Sequence, residues 1–326
     1  MTLGSAGRPG PASWECQANR GELVLRFLLE LVPALGIGLL LGVRFPGLPG
    51  RLAPPLIHWG VPIGLVALLL RAGFQANLLT AALMAAVASG LGLLLLRLPA
   101  LRRRIPDGSL QLGCVVGNTA YWGLPVALAL LPPDAIGFTI AFDLMATLIT
   151  WSLGPLLVNR GAGSVHRQLR VLASSPAIRG LVLAVLVHQT PWSATLAQWL
   201  WWPARLVVLV ALAMVGMRLG LMLRRRHPSP VRTPGLGVAL VGKLLALPLA
   251  MLLLASLLRL PPLLRDAVVL QAAAPTAVSV LLLTEAAGVG RQQAAEAVAA
   301  LVMWSTALAL VTVPLWWWLL SGPLGS

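Results

Sequence analysis

The chain has 326 residues, 58% of them apolar and 10% charged, where soluble domains carry about 25% charged residues. The apolar residues fall in blocks of roughly twenty, the length that crosses a ~30 Å hydrocarbon core as a helix, and this excludes a soluble multidomain protein. The formal charge of +15 does not point to nucleic acid, because the arginines cluster between the apolar blocks, as topology signals do.

In chain order, residues 1–22 are rich in Gly, Pro and Ser and are expected to be disordered. The block from Leu23 to Val43 is too long for the apolar part of a secretory signal and stays as the first span. About ten spans are predicted in all, at 23–43, 53–70, 77–98, 109–131, 135–158, 176–190, 200–220, 235–258, 263–286 and 294–320. A basic connector occupies 159–175, so one five-helix unit covers 23–158 and a second covers 176–320. Alternate connectors hold Arg44 and Arg51, Arg102 to Arg104, Arg160, Arg167 and Arg170, Arg224 to Arg226 and Arg232, and Arg291. That set is expected to face the cytoplasm, with both termini outside. Trp192, Trp199, Trp201 and Trp202, and then Trp316 to Trp318, group on the predicted outer side, where an aromatic belt belongs.

Two spans are expected to be interrupted. Span 4 reads GNTAYWGLP over 117–125, with glycines flanking Asn118 and Thr119, and Pro125 is expected to unwind or kink it. Span 9 reads QAAAPTAVS over 271–279, with Pro275 at mid-span beside Thr276 and Ser279. Freed backbone groups at that depth need protein or water partners, never lipid, so a break implies a cavity. Interrupted helices at matching places in two halves point to a transporter's binding site.

With these motifs, and with WSTALALVTVPLW over 304–316 and the span order after residue 22, the chain resembles the auxin efflux carrier family, whose bacterial members include dicarboxylate permeases. Ala120 stands where that family usually has Gly. The resemblance implies an all-α membrane fold of ten helices in two inverted five-helix repeats, shared with bile acid:sodium symporters. Helices 1, 2, 6 and 7 would form a scaffold, through which a homodimer would form. Helices 3–5 and 8–10 would move as a transport domain, with helices 4 and 9 crossing at the substrate in an elevator-type carrier of the bacterial inner membrane.

The residues suggest the chemistry at such a crossing. Half-helix N-termini carry exposed N–H groups and partial positive charge, so two of them aimed at one point suit an anion. Asn118 offers both a donor and an acceptor and is the main candidate contact, with Thr119, Thr276 and Ser279 behind it. Tyr121 stacks on a substrate or packs between helices, and Gln271 is placed to line the cavity. Asp143 in span 5 is a proton relay, a cation ligand or one half of an internal pair. Lys243, the single lysine, attracts the anion, pairs with a carboxylate or snorkels to the interface. Gly237 to Lys243 matches GxxxxGK, but Leu244 follows where a phosphate loop needs Ser or Thr. Gly38–Gly42, Gly113–Gly117 and Gly216–Gly220 fit GxxxG, which more often marks close helix packing than a dimer.

The expected activity is a secondary carrier for a small organic anion such as a carboxylate, by efflux or exchange. It needs no cofactor, no metal and no nucleic acid. A sodium-coupled symporter of the bile acid type is the alternative. A membrane sensor or an intramembrane enzyme fits less well, because the four histidines at 58, 166, 188 and 227 are scattered and no catalytic motif falls in a span.

Overall fold

The computed structural model describes residues 13–74, 77–158, 175–224, 234–288 and 290–322, with side chains at Leu25, Leu29 and from Leu31 onward. Six helical stretches among these are long and apolar enough to cross a bilayer: Leu48–Ala72, Leu78–Leu95, Pro133–Val158, Trp201–Arg224, Leu236–Leu257 and Gln292–Ser321. Leu31–Arg44, Thr119–Leu130 and Pro176–His188 are shorter apolar helices. No strand is named among the described residues, so the protein is an all-α, multi-pass membrane protein.

The elements are α1 (Ser13–Arg44), α2 (Leu48–Pro55), α3 (Val61–Ala72), α4 (Leu78–Leu95), α5 (Pro99–Arg104), α6 (Gly108–Val115), α7 (Leu124–Leu130) and α8 (Ile136–Val158). They continue as α9 (Pro176–His188), α10 (Ser193–Trp199), α11 (Trp201–Arg224), α12 (Leu236–Val241), α13 (Leu247–Leu257), α14 (Pro262–Ala272), α15 (Val278–Ala286) and α16 (Gln292–Ser321). Helix α1 starts at Ser13, inside the segment expected to be disordered, where Glu15, Gln17 and Ala18 favour a helix and no proline intervenes. Residues 1–12 and the connector residues 159–174 lie outside the described residues.

Prolines shape three of the stretches in the same way. Leu56–Gly60, Thr119–Gly123 and Gly242–Ala246 are π-helical turns, followed after one intervening residue by Pro62, Pro125 and Pro248. Proline lacks the N–H that would reach back four residues, and its ring crowds that carbonyl. A π turn relieves the crowding by shifting the bonding to five residues. The same carbonyls then need other donors. Leu244, four residues before Pro248, receives the indole N–H of Trp316 at 2.9 Å. Trp317 donates to a helix-end carbonyl, that of Leu130 in α7, at 3.1 Å. These two tryptophans are buried, which corrects their assignment to an outer belt, whereas Trp192, Trp199, Trp202 and Trp318 are exposed.

Helices α1, α3, α9 and α11 pack on one another, and α4, α6, α8 and α13 to α16 form a second group. The tightest contact joins α1 to α11. A Cβ on Gly38 or Gly42 would lie 2.0 or 2.1 Å from the carbonyl oxygens of Ala213 or Met217, and one on Gly216 or Gly220 would lie 2.2 Å from those of Leu35 or Leu39. The two GxxxG stripes therefore face each other within one chain. In the second group, Arg291 binds Asp107 at 3.3 Å and the Val158 carbonyl, tying together the adjacent ends of α6, α8 and α16.

Candidate functional site

Two helices are interrupted inside the fold, and the interruptions meet. Between α6 and the π turn at Thr119, the backbone is extended at Val116, and Gly117 forms an isolated antiparallel bridge with Thr276. Asn118 N–H donates to the Pro275 carbonyl at 2.6 Å, and Ala277 N–H donates to the Val116 carbonyl at 3.2 Å. These two bonds close four of the backbone groups that the breaks expose. Pro125 is not the cause of the first break, as the sequence suggested. It sits in the first turn of α7, past the π turn, whereas the break is carried by Val116 to Asn118. The physical reason is that a proline disturbs the turn before it only as far as its own missing bond reaches. At the second break Pro275 does lie in the interruption, between α14 and α15.

Side chains satisfy two further carbonyls, those of Gly113 and Ala272. Thr276 Oγ1 donates to Gly113 at 2.9 Å, while its own N–H donates to Ser305 Oγ at 3.0 Å. Lys243 Nζ donates to Ala272, the last residue of α14, at 2.8 Å. The side chain is fully buried, so it neither snorkels nor pairs with a carboxylate among the described residues. Its ammonium lies at the negative end of a half helix, where a cation is favoured. A Cβ on Gly117 would come within 3.2 Å of that Nζ, so the crossing is close-packed here.

A cavity of about 430 Å³ opens beside the crossing, between the two helix groups. Asn118, Thr119, Tyr121, Asp143 and Ser279 line one wall, together with Thr147, Thr150 and Trp151 of α8. The other wall comes from the start of the Leu48–Ala72 stretch, from Ser175 to Ala177 at the start of α9, and from Met214, Val215 and Arg218 of α11. The first residues of both second halves, Asn118 to Ala120 and Ala277 to Ser279, face this space. Asn118 Nδ2 is buried and has no partner among the described residues. Asp143 Oδ1 accepts the Thr119 hydroxyl at 2.5 Å. Toward the opposite ends of these helices the two groups close on an apolar cluster that includes Leu65, Leu68, Leu69, Ala127, Ile140 and Leu144.

Not every residue singled out in the sequence reaches the cavity. Thr276 and Pro275 are buried in the crossing itself, Pro125 packs in α7, and Lys243 lies behind Gly117; none of them lines the cavity. Gln271 is also elsewhere. Its amide packs against Gly123, where a Cβ would lie 2.2 Å from Oε1, and reaches the Thr139 carbonyl at 3.5 Å. Arg218, Thr147, Thr150 and Trp151 were not foreseen. Arg218 had a signal, an arginine inside the predicted span 200–220, because charges at such depth are costly and tend to be functional.

A family model described as the Sodium Bile acid symporter family matches residues 206–326. The match runs from within α11 to the end of the chain and takes in the second interrupted helix. It supports a bile acid symporter-like fold and a transporter, and it does not single out the auxin efflux carrier family. A search of the curated proteins found no match.

Proposed function

We propose that the protein is a secondary carrier for a small organic anion such as a carboxylate, with the substrate held in the cavity beside the crossed helices. The observation that carries this reading is Asn118, which lines the space that two half-helix N-termini face and whose buried Nδ2 has no partner among the described residues. A buried donor without a partner costs about 1–3 kcal/mol, which a bound acceptor recovers. The remaining lining is largely apolar, as in small-molecule sites generally.

In this reading the chain forms ten membrane helices as two inverted five-helix repeats, over 23–158 and 176–320. Helices α1, α3, α9 and α11 serve as scaffold, and the second group moves against them as an elevator. The packing of α1 on α11 and of α9 on α3, and of α4 on α8, favours that division, with α3 touching α8 across it. The cavity reaches the ends of the helices that carry Arg51 and Arg224, while the apolar cluster shuts the other side. Under the positive-inside rule this is a state open to the cytoplasm of a bacterial inner membrane.

Uptake and counterflow of radiolabelled carboxylates in proteoliposomes test the reading. Transport that requires Asn118 supports it, and full transport by Asn118→Ala rejects the site. The match over residues 206–326 also favours a second reading, a sodium-coupled symporter. Replacing sodium by potassium in the same assay separates the two, since only the symporter then loses concentrative uptake.

A further inference from the structure

The cavity contains one basic side chain among its described lining residues, Arg218, and one acidic one, Asp143. The two do not pair. Asp143 is engaged by Thr119 on the crossing side, and Arg218 has no ion-pair or hydrogen-bond partner among the described residues. Arg218 is only partly exposed and sits one helical turn beyond Met214, which lines the same wall. Its helix is held rigidly, because Gly216 and Gly220 lock α11 against the backbone of α1 on another face. An unpaired guanidinium on a rigid apolar wall is costly in a membrane protein unless something anionic visits it. Guanidinium presents a planar fork of donors that matches a carboxylate in bidentate fashion. The start of α9, a helix of thirteen residues beginning after Ser175, adds its positive end to the same wall.

We propose that Arg218 is the anion-selecting residue of this cavity, binding the carboxylate of the substrate from the α11 side while Asn118 contacts its other polar end from the crossing. This rests on the carrier reading above and adds to it a fixed cation on the wall that faces the crossed helices. It also places the charge of the substrate against one helix group and its second polar group against the other. The substrate therefore bridges the surfaces that must slide past each other.

The test is thermal-shift titration of the purified protein with indole-3-acetate, octanoate and malate, each beside its uncharged primary amide. The expected result is that at least one carboxylate raises the melting temperature of the wild type and its amide does not. Arg218→Gln then shifts the midpoint of that response by about tenfold or more, and Arg218→Lys shifts it less, since lysine keeps the charge without the fork. Asn118→Ala serves as the reference variant. If carboxylates stabilise Arg218→Gln as they do the wild type while Asn118→Ala loses the response, the role of Arg218 is wrong and the anion carrier stands. Equal stabilisation of the wild type by acid and amide overturns the role of Arg218 without needing a variant. If no carboxylate stabilises the wild type, the proposal and the carrier reading fall together.

Discussion

The backbone N–H of Asn118 donates to the carbonyl of Pro275 at 2.6 Å, and this bond sets where the two interrupted helices cross. Asn118 also lines the cavity, and its buried Nδ2 has no partner among the described residues. The same residue thus closes the backbone of the crossing and supplies the proposed contact. Substitutions around this pair, and along the contacts that support it, have outcomes that differ in kind.

Gly123 and Gln271 are one such pair. A methyl group at Gly123 would lie 2.2 Å from Gln271 Oε1, so Gly123→Ala should cost about 1–3 kcal/mol through overpacking. Gln271→Ala removes the obstacle, and Gly123→Ala in that background should cost much less. Melting temperatures of the two single variants and the double variant give the coupling. Additive losses would show that the glycine is needed for another reason.

Gly38 and Gly216 should behave as packing residues within the chain. Gly38→Ala and Gly216→Ala each push a methyl group onto backbone oxygen, at 2.0 and 2.2 Å. Backbone cannot step aside as a side chain can, so α1 and α11 must separate. Each variant should lower the melting temperature, by roughly 1–3 kcal/mol in stability. The oligomeric mass by light scattering should stay that of the wild type, since this stripe is already filled by its own chain.

Lys243 caps the Ala272 carbonyl from a fully buried position. Lys243→Met leaves that carbonyl without a donor, at a cost of about 1–3 kcal/mol. Removing a buried charge works in the opposite direction. Lys243→Gln also removes the charge but keeps a donor, so it should melt above Lys243→Met. Equal melting points would mean that the hydrogen bond contributes nothing.

Trp316 and Trp317 test whether the indole N–H groups matter beyond ring burial. Trp316→Phe exposes the need of the Leu244 carbonyl that Pro248 cannot meet, and Trp317→Phe takes the indole donor from the helix-end carbonyl of Leu130. Both variants keep most of the apolar volume, and each should cost about 1–2 kcal/mol. Adding Pro248→Ala to Trp316→Phe supplies a backbone donor for Leu244 and should restore part of the loss. Trp317→Phe should gain nothing from Pro248→Ala.

Several parts of this picture are legible in the sequence because they depend on neighbours along the chain. Apolar blocks of spanning length mark the helices, and a Gly-Asn-Thr run and an Ala-Pro-Thr run mark the two interruptions. Pro125 misleads for a local reason as well. It widens the turn before it into a π turn, and the chain opens only at Gly117. The aromatic cluster at Trp316 to Trp318 looks uniform in sequence, yet two rings donate to buried carbonyls and one faces outward.

What the sequence by itself determined is the all-helical membrane class, the positions of the apolar stretches and the two places where helices give way. These follow from hydropathy and from the hydrogen-bonding capacity of single residues, which need no partner to be read. Only the tertiary structure decided that Asn118 meets Pro275, that Lys243 spends its charge on the Ala272 carbonyl, that Gln271 packs against Gly123, and that Arg218 faces the cavity. A polar side chain in a span has the same sequence signature whichever way it points. Its direction is set by the rotation of its helix, and helix rotation is set by backbone contacts such as those of Gly38 with Ala213 and Gly216 with Leu35.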